Sequence, residues 1–210
     1  MYLERIESAP APTASPRPDR AAVERAVRTL IAAAGDDPAR EGLRETPARV
    51  ARAYGEWFAG YAVDPHALLA RSFGETAGYE GVVALRDIPV RSTCEHHLAP
   101  IVGVAHVGYL PGSRVVGISK LSRLVDAYAR RLQLQERLTQ QVAAALEAAL
   151  EPRGVAVVIE ARHGCMTTRG VNQPDVAMVT SAWRGEFRAD PDLRREFMLA
   201  RTGARGLDSC

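Results

Sequence analysis

Apolar residues recur at helical spacing through the first third of the chain, give way to short β-rich runs after residue 80, and return to helical spacing twice before the end. Between Asp19 and Gly35, the positions Val23, Val27, Leu30 and Ile31 predict a helix that Gly35 stops. Thr46-Pro47 reads as an N-cap followed by Pro at the first helical position, and Val50, Tyr54, Trp57, Phe58 and Tyr61 line one face beyond it. Strands are predicted over Val82–Ile88, Ile101–Tyr109 and Val115–Ile118, punctuated by Pro89, Pro100 and the Pro111-Gly112 turn. Ser119 then caps a helix carrying Leu121, Leu124, Val125 and Tyr128. Leu134, Leu138, Val142, Leu146 and Leu150 predict a long amphipathic helix ended by Pro152 and Gly154. Val155–His163 and Val176–Ala182 are further predicted strands, and Asp190-Pro191 opens a last short helix.

Strands that arrive in pairs around helices imply an α+β fold, with a mainly antiparallel sheet, packed helices and a helical segment in front. Four of the 13 prolines fall in the first 18 residues among Ala, Ser and Thr, so residues 1–18 are expected to be a disordered tail. The helical segment is expected over 19–80, the catalytic region over 81–203, and a C-terminal tail over 204–210, with no internal repeat and no second domain. A chain of 210 residues with 47% hydrophobic and 25% charged side chains buries enough surface to fold without disulfide staples. The net charge of +2 is too balanced to argue for a nucleic-acid or membrane-surface protein, so any anion site must be local. Cys94, Cys165 and Cys210 are too few and too scattered for a disulfide framework. With no apolar leader and no run of about 20 apolar residues, a cytoplasmic protein is expected.

The densest group of metal-capable side chains is Cys94-Glu95-His96-His97. A Cys and a His three apart in a turn can face one point, which is half of a zinc site. No second pair at zinc-finger spacing exists, so Cys165 is the remaining interior thiol, and three protein ligands would leave one position for water. Along Val157, Ile159, Ala161, His163 and Cys165 every second side chain shares a strand face, which sets His163 beside such a metal as a proton-transfer group. Taken singly, Cys165 also reads as a buried apolar residue and His163 as a satisfied strand-end histidine. Ser119 and Lys120 at a helix start, Arg123 one turn on, and Arg169 form a plausible polyphosphate cradle, although Lys and Arg on a helix also make an ordinary solvated face. Gln135-Glu136 opens the long helix. Its carboxylate either complements the helix dipole or accepts two donors from a purine edge.

The strings GDDPAREGLRETPARVARA, STCEHHLAPIVG, GISKLSRLVD, RRLQLQERLTQQ and EARHGCMTTRGV, in this order, closely resemble the zinc-dependent, tunnelling-fold GTP cyclohydrolase I family. The resemblance runs from about Asp36 to about Arg201. It implies an α+β tunnelling fold and an enzyme that converts GTP and water to 7,8-dihydroneopterin triphosphate and formate, the entry to folate and tetrahydropterin synthesis. It implies Zn2+ held by Cys94, His97 and Cys165, and catalytic roles for His96 and His163. Ser119, Lys120, Arg123 and Arg169 match positions that hold ribose and triphosphate. Gln135 and Glu136 match guanosine contacts, with Glu136 anchoring the base. A homo-oligomer, the toroidal decamer of the family, with each pocket between subunits, is likewise implied. Two rivals stay open on the residues: another tunnelling-fold pterin or deazapurine enzyme, and a non-catalytic assembly protein cross-linked by zinc.

Overall fold

A computed structural model describes residues 17–74 and 78–202 of the chain. The tails expected at 1–18 and 204–210, with Cys210, lie outside the described residues apart from Arg17 and Pro18. By its internal packing the chain divides between Ala59 and Gly60.

In the first unit, α1 (Arg20–Ala33) starts behind Asp19, whose carboxylate accepts from Ala22 N at 2.6 Å and so satisfies one of the free amides of the first turn. It packs against α2 (Thr46–Trp57), which begins at Thr46 itself, with Glu45 in the cap position and Pro47 inside the first turn. The expected Thr46 cap is therefore corrected by one residue. Tyr54 meets Phe58 edge-on with ring centroids 5.2 Å apart. Tyr61 does not extend this face, because the α-helix ends at Trp57.

The second unit holds a five-stranded sheet. Its strands are β1 (Val83–Cys94), β2 (Pro100–Leu110), β3 (Leu132–Gln133), β4 (Gly154–His163) and β5 (Met178–Gly185), in the order β3-β1-β2-β4-β5. All pairings are antiparallel except β1 with β3. The helices are α3 (Pro65–Leu69), α4 (Ile118–Ala129), α5 (Gln135–Leu150), α6 (Gly164–Thr167), α7 (Glu186–Ala189) and α8 (Pro191–Thr202).

One face of the sheet carries Val90, Val107, Tyr109, Val157 and Ile159 against Leu121, Leu124 and Val125 of α4 and Leu138, Val142 and Leu146 of α5, the stripes that the apolar period picks out. The other face carries Ala156 and Val158 under Phe187 and Phe197. Residues Gly154–Ile159 of β4 are therefore buried on both faces, which is why they read as a continuous apolar run rather than an alternation.

The structure departs from the sequence reading at three places. β1 does not stop at Ile88 but runs through Pro89 to Cys94. Pro89 is opposite Val104 on one side, while the partner on the other side, β3, pairs only with Thr93 and Cys94, so the missing amide costs no ladder bond. Val115–Ile118 is not a strand. Val115 makes an isolated bridge to Phe73, and Ile118 already belongs to α4, whose cap residue is Gly117 rather than Ser119. The last strand starts at Met178, two residues after Val176, and ends at Gly185.

Tyr61 lies in the 3₁₀ turn Ala59–Ala62, where its hydroxyl accepts from Leu132 N at 3.1 Å. Arg131 donates to Gly60 O and Val63 O and stacks over the Tyr128 ring. No helix among the described residues is long and apolar enough to cross a membrane.

Candidate metal centre and active site

The site lies where β1 turns into β2 and where β4 ends. Cys94, the last residue of β1, is buried, and its amide donates to Ala99 O at 2.8 Å while its carbonyl accepts from Leu98 N at 2.9 Å. Leu98 takes a left-handed backbone (φ 53°) in this tight loop. The Cys94 Sγ to His97 Nδ1 distance is 3.8 Å.

Cys165 arrives from the other strand. β4 stops at His163, so the strand alternation expected to set His163 on the same side as Cys165 ends before it reaches Cys165. The thiol is delivered instead by the single helical turn α6. Gly164 makes this possible: a Cβ there would stand 2.9 Å from Pro100 Cδ, so only glycine lets the end of β4 pass so close to the start of β2. The ligand atoms of Cys94, His97 and Cys165 all lie within 4.8 Å of one another.

Two soft thiols and an imidazole at that spacing suit zinc or a similar transition metal rather than calcium or magnesium, which take oxygen ligands. Burial first, and then the neighbouring Cys94 sulfur, push the Cys165 thiol up, while the Arg169 charge draws it down. Two adjacent thiolates are costly, and a shared cation reverses that cost. The residues fit a metal.

His163 stands opposite Ile101 of β2, and its Nε2 lies 2.8 Å from Gln135 Oε1. Burial pulls its imidazole below the ordinary value, and the Glu136 carboxylate opposes that shift. Glu136 is exposed in the first turn of α5, within electrostatic reach of His163. Gln135, expected as a guanosine contact, opens α5 as a buried residue. Its side chain is 0% exposed, and its amide nitrogen is bonded to Ile159 O, Met178 O and Thr180 Oγ1 at 3.0, 3.0 and 3.2 Å.

His96 is exposed, with its ring edge-on to His97 at 6.2 Å. Ser119 and Lys120 lie in the first turn of α4, with Arg123 one turn on, and Arg169 lies in the turn after α6. Among the described residues no carboxylate pairs with Lys120, Arg123 or Arg169. Arg169 is brought near Cys165. No bond within the described residues of the chain ties Ser119, Lys120 or Arg123 to the cysteines.

The sequence reading passed over one pair. Arg137 of α5 grips Glu95 with two bonds of 2.6 and 2.8 Å, and Glu95 N donates to Gln133 O. The Arg137 guanidinium holds the Glu95 carboxyl below the usual carboxylate range. Glu95 lies inside the Cys-Glu-His-His run, but its partner is 42 residues away, and no local pattern announces it.

The sequence model of the GTP cyclohydrolase I family matches residues 23–201. The chain is 56% identical over 182 residues to a protein named GTP cyclohydrolase 1 from Maricaulis maris (strain MCS10), covering 87% of this chain and 89% of that one. It is 52% identical over 189 residues to another of that name from Hyphomonas neptunium (strain ATCC 15444), covering 90% and 92%. A crystal structure of the archaeosine synthase QueF-Like in the apo form aligns with 51% of this chain and 96% of its own, at 22% identity and a TM-score of 0.42. The α+β fold, the ordered motifs around Cys94, Glu136 and Cys165, and relatedness over nine-tenths of the chain agree, and the chain belongs to the GTP cyclohydrolase I family.

Proposed function

We propose that the Cys94, His97 and Cys165 group holds a zinc ion, and that around it the chain converts GTP and water to 7,8-dihydroneopterin triphosphate and formate. The observation that carries this reading is the convergence of two thiols and an imidazole from separate elements, with His163 two residues before Cys165 and within electrostatic reach of Glu136. The family places the chain at the first step of pterin and folate synthesis. When bound, zinc supplies a Lewis acid that lowers the pKa of water toward about 7.

The chain's own residues do the rest. Glu136 accepts from N1–H and the 2-amino group of guanine and so sets the purine's orientation. His163 protonates N7, which makes C8 electrophilic. His96, exposed beside His97, relays protons during ring opening. Ser119, Lys120, Arg123 and Arg169 hold ribose and triphosphate, keeping the purine in register through successive steps. Two hydrolytic cleavages consume two waters and release C8 as formate. Closure of the opened ribose onto the exposed amine returns one water, so one is used overall.

The assembly is a homo-oligomer, the toroidal decamer implied by resemblance, and the compartment is the cytoplasm. Metal analysis with a formate assay tests the reading: about one zinc per chain and formate from GTP are expected, both lost in Cys94→Ala, His97→Ala and Cys165→Ala. Zinc without formate would leave a cross-linked assembly protein. Full turnover in metal-free protein would overturn the zinc assignment.

A further inference from the structure

Gln135 offers a wholly buried amide whose orientation is decided by its neighbours. Ile159 O and Met178 O are carbonyl oxygens that only accept, so the atom facing both must be the amide nitrogen. Turned over, the amide would set its oxygen against two carbonyl oxygens and turn its nitrogen away from both.

A second layer points the same way. Thr139 Oγ1 is 2.7 Å from Gln135 O, an acceptor, and therefore donates to it. Its lone pairs are then left for the Thr180 hydroxyl at 2.7 Å, while the two hydrogens of the Gln135 amide are matched by the two carbonyls, with Thr180 Oγ1 at 3.2 Å a third, shared acceptor. The oxygen that remains, Gln135 Oε1, faces His163 Nε2, and it too only accepts.

We infer that Gln135 is a positioning residue that fixes the orientation of the His163 ring and holds it as the Nε2–H tautomer. This rests on the reading of His163 as the proton-transfer group. A neutral imidazole carries one hydrogen, so holding it on Nε2 leaves the Nδ1 lone pair free of it. The same bond stops the ring from turning about its side-chain bonds. The carbonyls of Ile159 and Met178 act one step further back, by keeping the amide from turning over.

The test uses zinc-loaded enzyme labelled with 15N-histidine. Magic-angle-spinning spectra are recorded above the imidazole titration range, and the His163 signals are assigned by their loss in His163→Ala. Wild-type protein should show a protonated Nε2 and an unprotonated Nδ1 at His163. Gln135→Leu should give mixed tautomers and a fall of about 10²-fold in kcat, with zinc content unchanged and KM for GTP within about threefold. Thr180→Val leaves both carbonyl acceptors in place and should keep the wild-type tautomer.

Nδ1–H in the wild type would overturn the inference without any appeal to Gln135→Leu, which matters if that variant does not fold. So would Gln135→Leu with an unchanged spectrum and normal kcat. Undiminished formate release by His163→Ala would instead overturn the underlying reading of His163, and the two failures are told apart by which variant stays active.

Discussion

Replacing Glu95 by Gln keeps the shape of the side chain and removes the charge that Arg137 grips. Both side chains are about 70% covered, at 27% and 30% exposure, so the pair lies between a solvent-exposed ion pair and a buried one. Exposed pairs are worth about 0.2–1 kcal/mol, and hydrogen bonds to charged groups about 1.5–3 kcal/mol. Two parallel bonds with this cover place the Glu95–Arg137 coupling at about 1–2 kcal/mol. In a folded unit of this size that lowers Tm by about 2–8 °C at fixed protein concentration.

The sign of the pH effect follows from the direction of the shift. Glu95 has its folded pKa depressed by Arg137, so its stabilisation is present above the unfolded value of about 4.3 and is lost as pH falls through the folded value. Glu95→Gln should therefore flatten the acid limb of the stability curve and change little at high pH beyond a constant offset. The assay is a double-mutant cycle of Glu95→Gln, Arg137→Met and both together, by urea denaturation from neutral to acid pH. Additive effects within about 0.3 kcal/mol at neutral pH would refute the coupling.

Further outcomes follow from the same geometry. Each of Lys120→Ala, Arg123→Ala and Arg169→Ala should weaken GTP by about tenfold or more with zinc retained, and guanosine should bind far more weakly than GTP; calorimetric titration of both ligands checks this. Glu136→Gln should cut GTP turnover steeply with normal metal content, and ATP should be rejected by about 10³-fold in steady-state rates, because its N1 is unprotonated and it lacks the 2-amino group. If Glu136 served only the helix dipole, rates would be normal and the melt slightly lower. Gly164→Ala pushes a Cβ to 2.9 Å from the Pro100 ring and should destabilise the fold by about 1–3 kcal/mol, read by denaturant midpoint at fixed concentration.

What the sequence disclosed depended on the range over which each signal acts. α5 and β4 were legible because an apolar period persists over the 16 residues of the one and a continuous apolar run fills the first half of the other. Cys94 and His97 were legible as a pair because three residues in a turn bring their ligand atoms together. Cys165 joined them by elimination, since no other interior thiol was left, while the strand alternation invoked for His163 does not extend to Cys165. Pro89 misled because edge and centre of a sheet look alike in sequence, and only the partner's two-residue length makes that proline harmless. The bonds of Gln135 were out of reach for the same reason: its partners at His163, Ile159, Met178 and Thr180 are 24 to 45 residues away, on two strands that no local pattern could bring to it. At that position the residue type told of polarity and nothing of direction.

β4 is enclosed on both faces from Gly154 to Ile159, and that cover thins through Glu160, Arg162 and His163. A strand built this way is like a beam clamped at one end. Amides at the clamped end exchange only when the whole unit opens, whereas the end that carries His163 and leads into Cys165 can breathe at far lower cost. Damage to the clamp and damage to the tip should then have different consequences in a cell. Substitutions among the enclosed residues will show as less enzyme present, whereas those near the tip will leave the amount intact and alter how fast each molecule turns over.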